Sequence, residues 1–482
     1  MAWPNPFRRR TENTRCCWGY TFEWTDDHIT PEEARPLKYS YDVLAEECLQ
    51  RLDQISPPHR ATLPRNNSKF STEARPSDTI PAKTENEQVP APRDLYALLR
   101  DHAESDAKLR ELWLEVNTVP EWVDWAQIAR GQDVFYRYGG AALTGLAYQS
   151  LLGGMGAARV VETLARTGGF STKVARRRLY ETTQHILQCT KSLESIQPGG
   201  AGHASSIRVR LLHAAVRTRI MKLAEQRPEY YRVEEWGTPI NDLDSIATIA
   251  SFSSTLIWVS LPRQGLWMRQ QEIADYVALW RYIAYVVGCP TDRFESPAKA
   301  KAIMESLLYY EINPSETSKI LANNIIKSLE DRPPTWASAD MLIASARWLN
   351  GNKLVDRLGL PQPGLYYWSL MAGQCLFYMF MCYIYRSIPY LDRRKIAMLR
   401  RVFYAVIVDS QSGLQGTESV FDFKYVPEYS ILTELGDSEE AKIKSSGVER
   451  RNLKWLFYGA TFIGFTAWCS VKIASAVWRI VW

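Results

Sequence analysis

The sequence has no C-x-x-C pair among its eight cysteines, no arm or tail in which one sign of charge collects, and only six histidines in 482 residues. The first absence removes zinc ribbons and dithiol redox motifs, and leaves the cysteines as free thiols of a reducing compartment. The second removes a nucleic-acid grip, because 58 basic and 53 acidic side chains give a formal charge of only +5, spread along the chain. The third narrows any metal or cofactor chemistry to a few positions. Alternating apolar and polar stretches of the strand kind are also scarce. The start, MAWPNPFRRRTENTRCC, carries an arginine cluster followed by polar residues in place of an apolar leader, so a cleaved secretory signal is not expected.

What is present is aromatic and helical. Seventeen Trp and 25 Tyr are many for a soluble domain, and such side chains serve buried cavities and membrane interfaces, which suits an apolar substrate. From Asp94 onward apolar residues recur at helical spacing, as in Leu109, Leu112, Trp113 and Val116. Breaks fall at Gly153-Gly154, Gly168-Gly169, Pro198-Gly199-Gly200 and Pro333-Pro334, so short turns join many helices into an all-α domain. The chain divides into an N-terminal helical lobe (1–56), a linker (57–93), the all-α domain (94–425), a polar linker (426–453) and a C-terminal apolar helix (454–482). Within the lobe, Thr30 followed by Pro31, Glu32 and Glu33 reads as a helix start. The first linker is rich in Pro, Ser, Thr, Asn and charge, too poor in large apolar residues to offset the entropy of ordering, and is expected to be disordered.

Two segments have the composition of membrane spans. Leu365 to Tyr385 carries no charge, yet it contains Gln374, several Tyr and two Cys inside the continuing helical pattern, and is read as a buried helix beside a substrate cavity rather than a span. Trp455 to Val471 is also free of charge and is read as a tail anchor, with Lys472 snorkelling; the alternative is a helix lying in the interface. Arg450, Arg451 and Lys454 precede it and place the main domain in the cytosol.

Of the six histidines, His59 lies in the linker, His28 in the lobe and His102 among acidic surface residues, which leaves His185, His203 and His213. His213 sits in HASSIRVRLLHAAVRTRI, read as a helix starting near Ser205 or Ser206, with Arg210 and Arg217 at i−3 and i+4. A neutral imidazole among small alanines, flanked by guanidiniums, suits a flat iron porphyrin whose propionates the arginines would pair; a packed histidine with nearby arginines is the plainer alternative. On the preceding helix Arg178, Glu181, Thr182 and His185 share one polar stripe. Glu162, on a helix of Val, Leu and Ala, is either a proton shuttle or the partner of Arg166 at i+4. A non-haem iron or zinc site built from His185, His203 and His213 is a competing reading, and a membrane-tethered terpenoid or lipid binder without activity is another.

VPEWVDWAQIARGQDVFYRYGG (119–140), ARTGGF (165–170), RRRLYETTQ (176–184), RVRLLHAAVR (208–217), TPINDLDSIATIASFS (238–253) and ALWRYIAYVVGCP (278–290) follow one another in an order that resembles the rubber-oxygenase (latex clearing protein) and fungal ER-bound oxygenase family. The resemblance implies a globin-like all-α core holding one haem b, and dioxygenolytic cleavage of an isoprenoid carbon–carbon double bond by O2. It implies His213 as the proximal iron ligand, Arg178 and Thr182 as distal residues, and Glu162 as the distal acid or base. The family's bacterial enzymes can carry an iron-capping lysine where this chain has Glu181. The FEWTDDH stretch, the linker and the apolar tail resemble the fungal branch instead, which implies an endoplasmic reticulum membrane protein acting on an apolar prenylated or terpenoid substrate.

Overall fold

The computed structural model describes residues 10–58, 93–168, 170–172, 174–422 and 447–481, with side chains of the last helix described to Ser475. Nearly all of the expected first linker, and all of the second as far as 446, lie outside the described residues.

Helices dominate the described residues, whose one strand pairing is a small hairpin, β1 (Thr14–Cys17) and β2 (Tyr20–Glu23), antiparallel with Cys17 opposite Tyr20. The helical lobe expected from the sequence therefore begins as a hairpin. Its two turn residues explain it: Trp18 and Gly19 both have positive φ, 49° and 73°, the twist that a two-residue hairpin requires. Nor is the segment a separate lobe. Phe22 is 1% exposed and packs in the main core; Tyr20 donates to the Glu305 carboxylate (2.7 Å), and His28 Nε2 lies 3.0 Å from the other oxygen of the same group. Thr30 caps the next turn through a capping box with Glu33, worth about 1 kcal/mol.

The segment continues as α1 (Val43–Ile55), capped by Asp42 and packed on α2 (Ala107–Asn117) and on the long helix that carries His213. The central pair is α3 (Trp125–Thr144) against a later helix, Gln270–Val286, whose Tyr276, Leu279, Trp280 and Ile283 are buried. In between come α4 (Ala158–Arg166), α5 (Ala175–Thr190), α6 (Ala201–Gln226) and α7 (Asp242–Phe252). The His213 helix starts at Ala201, earlier than Ser205 or Ser206. The Pro198-Gly199-Gly200 turn launches it, and both serines lie inside, Ser206 donating to the Gly202 carbonyl and Ser205 bonded to His185.

Three π-helical turns occur among the described residues, Gly145–Leu152 after α3, Leu256–Ser260 after α7 and Ala405–Asp409 late in the chain, and the first two pack on each other. At their contact a Cβ on Gly145 would fall 2.8 Å from both Leu256 and Ser260, so only glycine permits the approach. π-Turns of this kind frequently mark functional sites, and the first supplies a wall of the cavity described below.

The charge-free stretch forms α8 (Leu365–Ser387), followed by α9 (Pro389–Tyr404) and the final helix α10 (Gly447–Val481). Leu370, Met371, Gln374, Cys375, Tyr378 and Cys382 of α8 are buried in the body. α10 begins at Gly447, inside the stretch expected as a linker: Asn452 is fully buried and bonds Gln374 (3.2 Å), and Glu449 accepts from Ser338 (2.7 Å). Only beyond Gly459 does α10 leave the body, and its apolar window is long enough to cross a membrane. Asp242–Arg263 also has that length and hydropathy, but it is mostly buried and belongs to the core.

Candidate active site

A cavity of about 750 Å³ lies between α5, α6, α7 and the π-turn Gly145–Leu152, and its lining is mostly apolar. That volume falls in the range of sites that enclose small organic ligands, about 300–1,000 Å³. His213 lies on its wall, flanked on its own helix by Val209, Leu212 and Val216. Those residues stand at i−4, i−1 and i+3, so the cavity covers one flank of the His213 stripe. No described residue hydrogen-bonds the His213 ring. Burial, reinforced by the nearby Arg217 guanidinium, pushes its pKa down to about 4. The imidazole is therefore neutral at physiological pH, which is the form that binds a metal.

Arg210 and Arg217 stand on the opposite flank and do not reach the cavity. Arg210 binds Asp42 through Nε and Nη2 (2.6 and 3.0 Å) and Glu115 through Nη1 (2.8 Å). Arg217 binds Glu46 (2.9 Å) and the carbonyls of Ile240 and Asp42. The expectation that they pair propionates is corrected: both clamp the N-terminal segment onto α6. Spacing at i−3 and i+4 placed them near His213, but the carboxylates of Asp42, Glu46 and Glu115, supplied from far away in sequence, took them.

Arg178, Thr182 and His185 of α5 do line the cavity, as does Glu181. His185 bonds Ser205 Oγ at 2.9 Å, and burial together with the neighbouring His213 holds it down to about 4. Two neutral imidazoles thus face one apolar hollow. Glu181 is engaged by Arg177 (3.2 Å), Arg178 (3.5 Å) and the Ser419 hydroxyl (3.1 Å). The segment around Ser419 is fastened to α5 twice more through Gln184, so that Phe421 meets His185 edge-on, 6.4 Å between centroids.

Glu162 is not on the wall. Its carboxylate accepts from Arg166 at 2.6 Å, while its neighbours Thr163 and Val160 face the cavity. Of the two readings left open by the sequence, the ion pair is the arrangement present. His203 also turns away: it is fully buried on α6, with Nε2 2.7 Å from the Val116 carbonyl and Nδ1 accepting from Gly199. The three histidines proposed for a non-haem metal do not converge, and no group of three His, Cys, Asp or Glu suited to a metal occurs among the described residues.

Sequence reasoning missed part of the wall. Asp244 and Glu311 grip Arg159 (2.7 and 3.2 Å) where all three border the cavity, and burial raises the Asp244 carboxyl above its ordinary value. Asp244 belongs to TPINDLD, a stretch noted but given no role. α8, the helix expected beside a cavity, does border it: Gln374 and Tyr378 face the hollow, with Tyr378 bonded to Thr144 (2.9 Å). Arg451 of α10 joins them, its guanidinium over the Phe377 ring. One polar residue in an apolar run was the available signal for Gln374. Nothing local could announce Phe421 or Arg451.

The residues present fit an iron porphyrin: a neutral imidazole with no hydrogen-bond partner among the described residues borders an apolar hollow of about 750 Å³, with Arg178 and Arg176 among the cavity's cations.

Residues 136–375 match the family model described as ER-bound oxygenase mpaB/B'/rubber oxygenase, catalytic domain. A solved structure, latex clearing protein in the closed state, superimposes with a TM-score of 0.51 at 16% identity, over 76% of this chain and 91% of that one. Aurantioclavine synthase cnsA of Penicillium expansum is 64% identical over 33 residues, which is 7% of this chain and 7% of that protein's length.

Proposed function

Because the chain belongs to the ER-bound oxygenase mpaB/B' and rubber oxygenase family, we propose that it is a haem-dependent oxygenase that cleaves a carbon–carbon double bond of a prenyl or terpenoid chain with O2. The carrying observation is the neutral His213 imidazole, without a hydrogen-bond partner among the described residues, on the wall of a large apolar cavity. His213 would hold the iron, and haem when bound supplies the O2 and one-electron chemistry that no side chain provides.

The protein's own residues do the rest. The apolar lining takes the isoprenoid chain out of water, at about 25 cal/mol per Å² of apolar surface. Arg178 and Thr182 present a cation and a hydroxyl donor to the polar end of the reaction. Glu162 is the group we assign to take an allylic proton and to return it to carbon as the two carbonyl products form, so that no net proton is lost. That assignment requires its carboxylate to leave Arg166 and swing past Thr163 into the cavity. Both oxygen atoms of O2 would end in the two carbonyl products. We assign the chemistry to an endoplasmic reticulum membrane with the catalytic body in the cytosol; the exposed apolar α10 behind Arg450, Arg451 and Lys454 supports the membrane tether.

The test is spectroscopic. The purified full-length protein is expected to show a Soret band that His213→Ala removes, together with turnover of farnesylated aromatics or polyprenols to carbonyl products. A Soret band unaffected by His213→Ala, or a colourless wild-type protein that still cleaves the alkene, overturns the assignment.

A further inference from the structure

α8 and α10 run parallel along their contact. Their successive contacts advance together: Tyr367 lies beside Ser338 and Glu449, Gln374 bonds Asn452, and Phe377 and Phe380 pack on Trp455 at 5.5 and 4.7 Å between centroids. The close approach is made at Gly373 and Gly459, where a side chain on the first would meet the Asn452 backbone and one on the second Leu376. The last turns of α8 therefore lie on the side of the body from which α10 emerges.

That end of the body is apolar and open. Phe380 and Ile384 of α8 are 44 and 41% exposed at i and i+4, Ile388 at the extended cap between α8 and α9 is 47% exposed, and Tyr390 just after it is 58% exposed. Beside them stands Trp267, 56% exposed, on a loop strapped to α8: its N–H donates to the Tyr383 hydroxyl (3.2 Å), and Arg386 donates to its carbonyl (2.8 Å). On α9 the exposed stripe continues through Arg393 and Arg394, the latter donating to the Tyr390 hydroxyl at 3.2 Å. Trp and Tyr beside large aliphatics, edged by arginine and placed on rigid helices, is the composition of a membrane-interface surface. Scattered apolar residues are ordinary on any protein, but a contiguous set next to an apolar anchor is not.

We propose that Trp267, Phe380, Ile384, Ile388 and Tyr390 form a second membrane contact that sinks into the headgroup and acyl boundary of the leaflet entered by α10, with Arg393 and Arg394 on lipid phosphates. The occupant is a lipid bilayer: the face is continuous with the emerging anchor, and its cationic edge complements anionic lipid. This rests on the anchor reading of α10 and goes beyond it, because one helix tethers the body without orienting it. Two contacts fix which side faces the membrane. The wall formed by Gln374, Tyr378 and Arg451 belongs to these same two helices, so the cavity is held against the lipid phase from which an apolar substrate arrives.

Lipid photocrosslinking of the full-length protein tests this, in vesicles of phosphatidylcholine with and without phosphatidylserine. A benzophenone amino acid is placed singly at Ile388, at Ile463 in α10, and at Tyr366, which is 52% exposed at the opposite end of α8. Adducts to lipid are expected at 388 and 463, each several-fold above 366. Arg393→Glu with Arg394→Glu is expected to lower the adduct at 388 on phosphatidylserine vesicles while leaving that at 463. Adducts at 463 but not at 388, or equal adducts at 366 and 388, overturn the proposal and leave the anchor standing. Adducts at 388 without 463 remove the anchor reading of α10 and with it the proposal of a second contact beside that anchor, and adducts at neither overturn both.

Discussion

The two flanks of the His213 helix carry opposite lessons. On one, Val209, Leu212 and Val216 frame an imidazole that no described residue bonds, beside a hollow. On the other, Arg210 and Arg217 have nearly every donor occupied by α1, α2 and backbone carbonyls, and both are 3% exposed as side chains. Stability and chemistry are separated within a single turn of helix. The flank that looked chemical in the sequence is structural, because a buried guanidinium is tolerated only where its charge and hydrogen bonds are met.

Breaking the two flanks separately measures that division. The largest loss of stability is expected on the clamp side. Arg210→Ala leaves Asp42 and Glu115 without their partner and should lower unfolding stability by about 2–4 kcal/mol, below the ~3–5 of a fully enclosed pair because Glu115 keeps 38% exposure. Urea midpoints of Arg210→Ala and His213→Ala, compared in the haem-free protein, are the check; equal midpoints would erase the distinction. Next comes Glu162→Gln. As the proton acceptor it should cost about a hundredfold or more in turnover while the Soret band persists. Turnover within a few-fold of wild type would leave Glu162 only its ion pair with Arg166.

The smallest effect concerns pH. Burial lowers the His203 pKa below its free value, so below about pH 6.5 the unfolded chain takes up a proton that the folded one refuses. The contribution of this histidine is present above that pH and is lost on acidification. His203→Gln should therefore show a shallower fall in urea midpoint between neutral and mildly acidic buffer than wild type does. An equal fall would mean that His203 is not the buried neutral group described.

The legible part of this protein was what a few residues in a row decide. Helical periodicity gave the all-α body, Thr30 with Pro31, Glu32 and Glu33 a helix start, and the polar residues of the 365–385 run, Gln374 among them, a buried helix beside a cavity. The short hairpin escaped because it is too brief for alternation to stand out, although Trp18-Gly19 holds the needed turn. The boundary of the last helix escaped too, because Glu449, Arg451 and Asn452 look like solvated linker residues until Ser338, Phe377 and Gln374 are placed beside them.

By itself the sequence determined that a neutral-capable histidine would stand on a helix among small residues, in a helical, aromatic-rich chain with an apolar tail, since composition and spacing act locally. Only the tertiary structure decided which of its three candidate histidines border the cavity, that Arg210 and Arg217 serve the N-terminal segment, and that Glu162 rests on Arg166. The reason is that a buried charge goes to whichever partner the fold delivers. Those partners come from residues such as Asp42 and Glu115, whose distance along the chain says nothing of their distance in space.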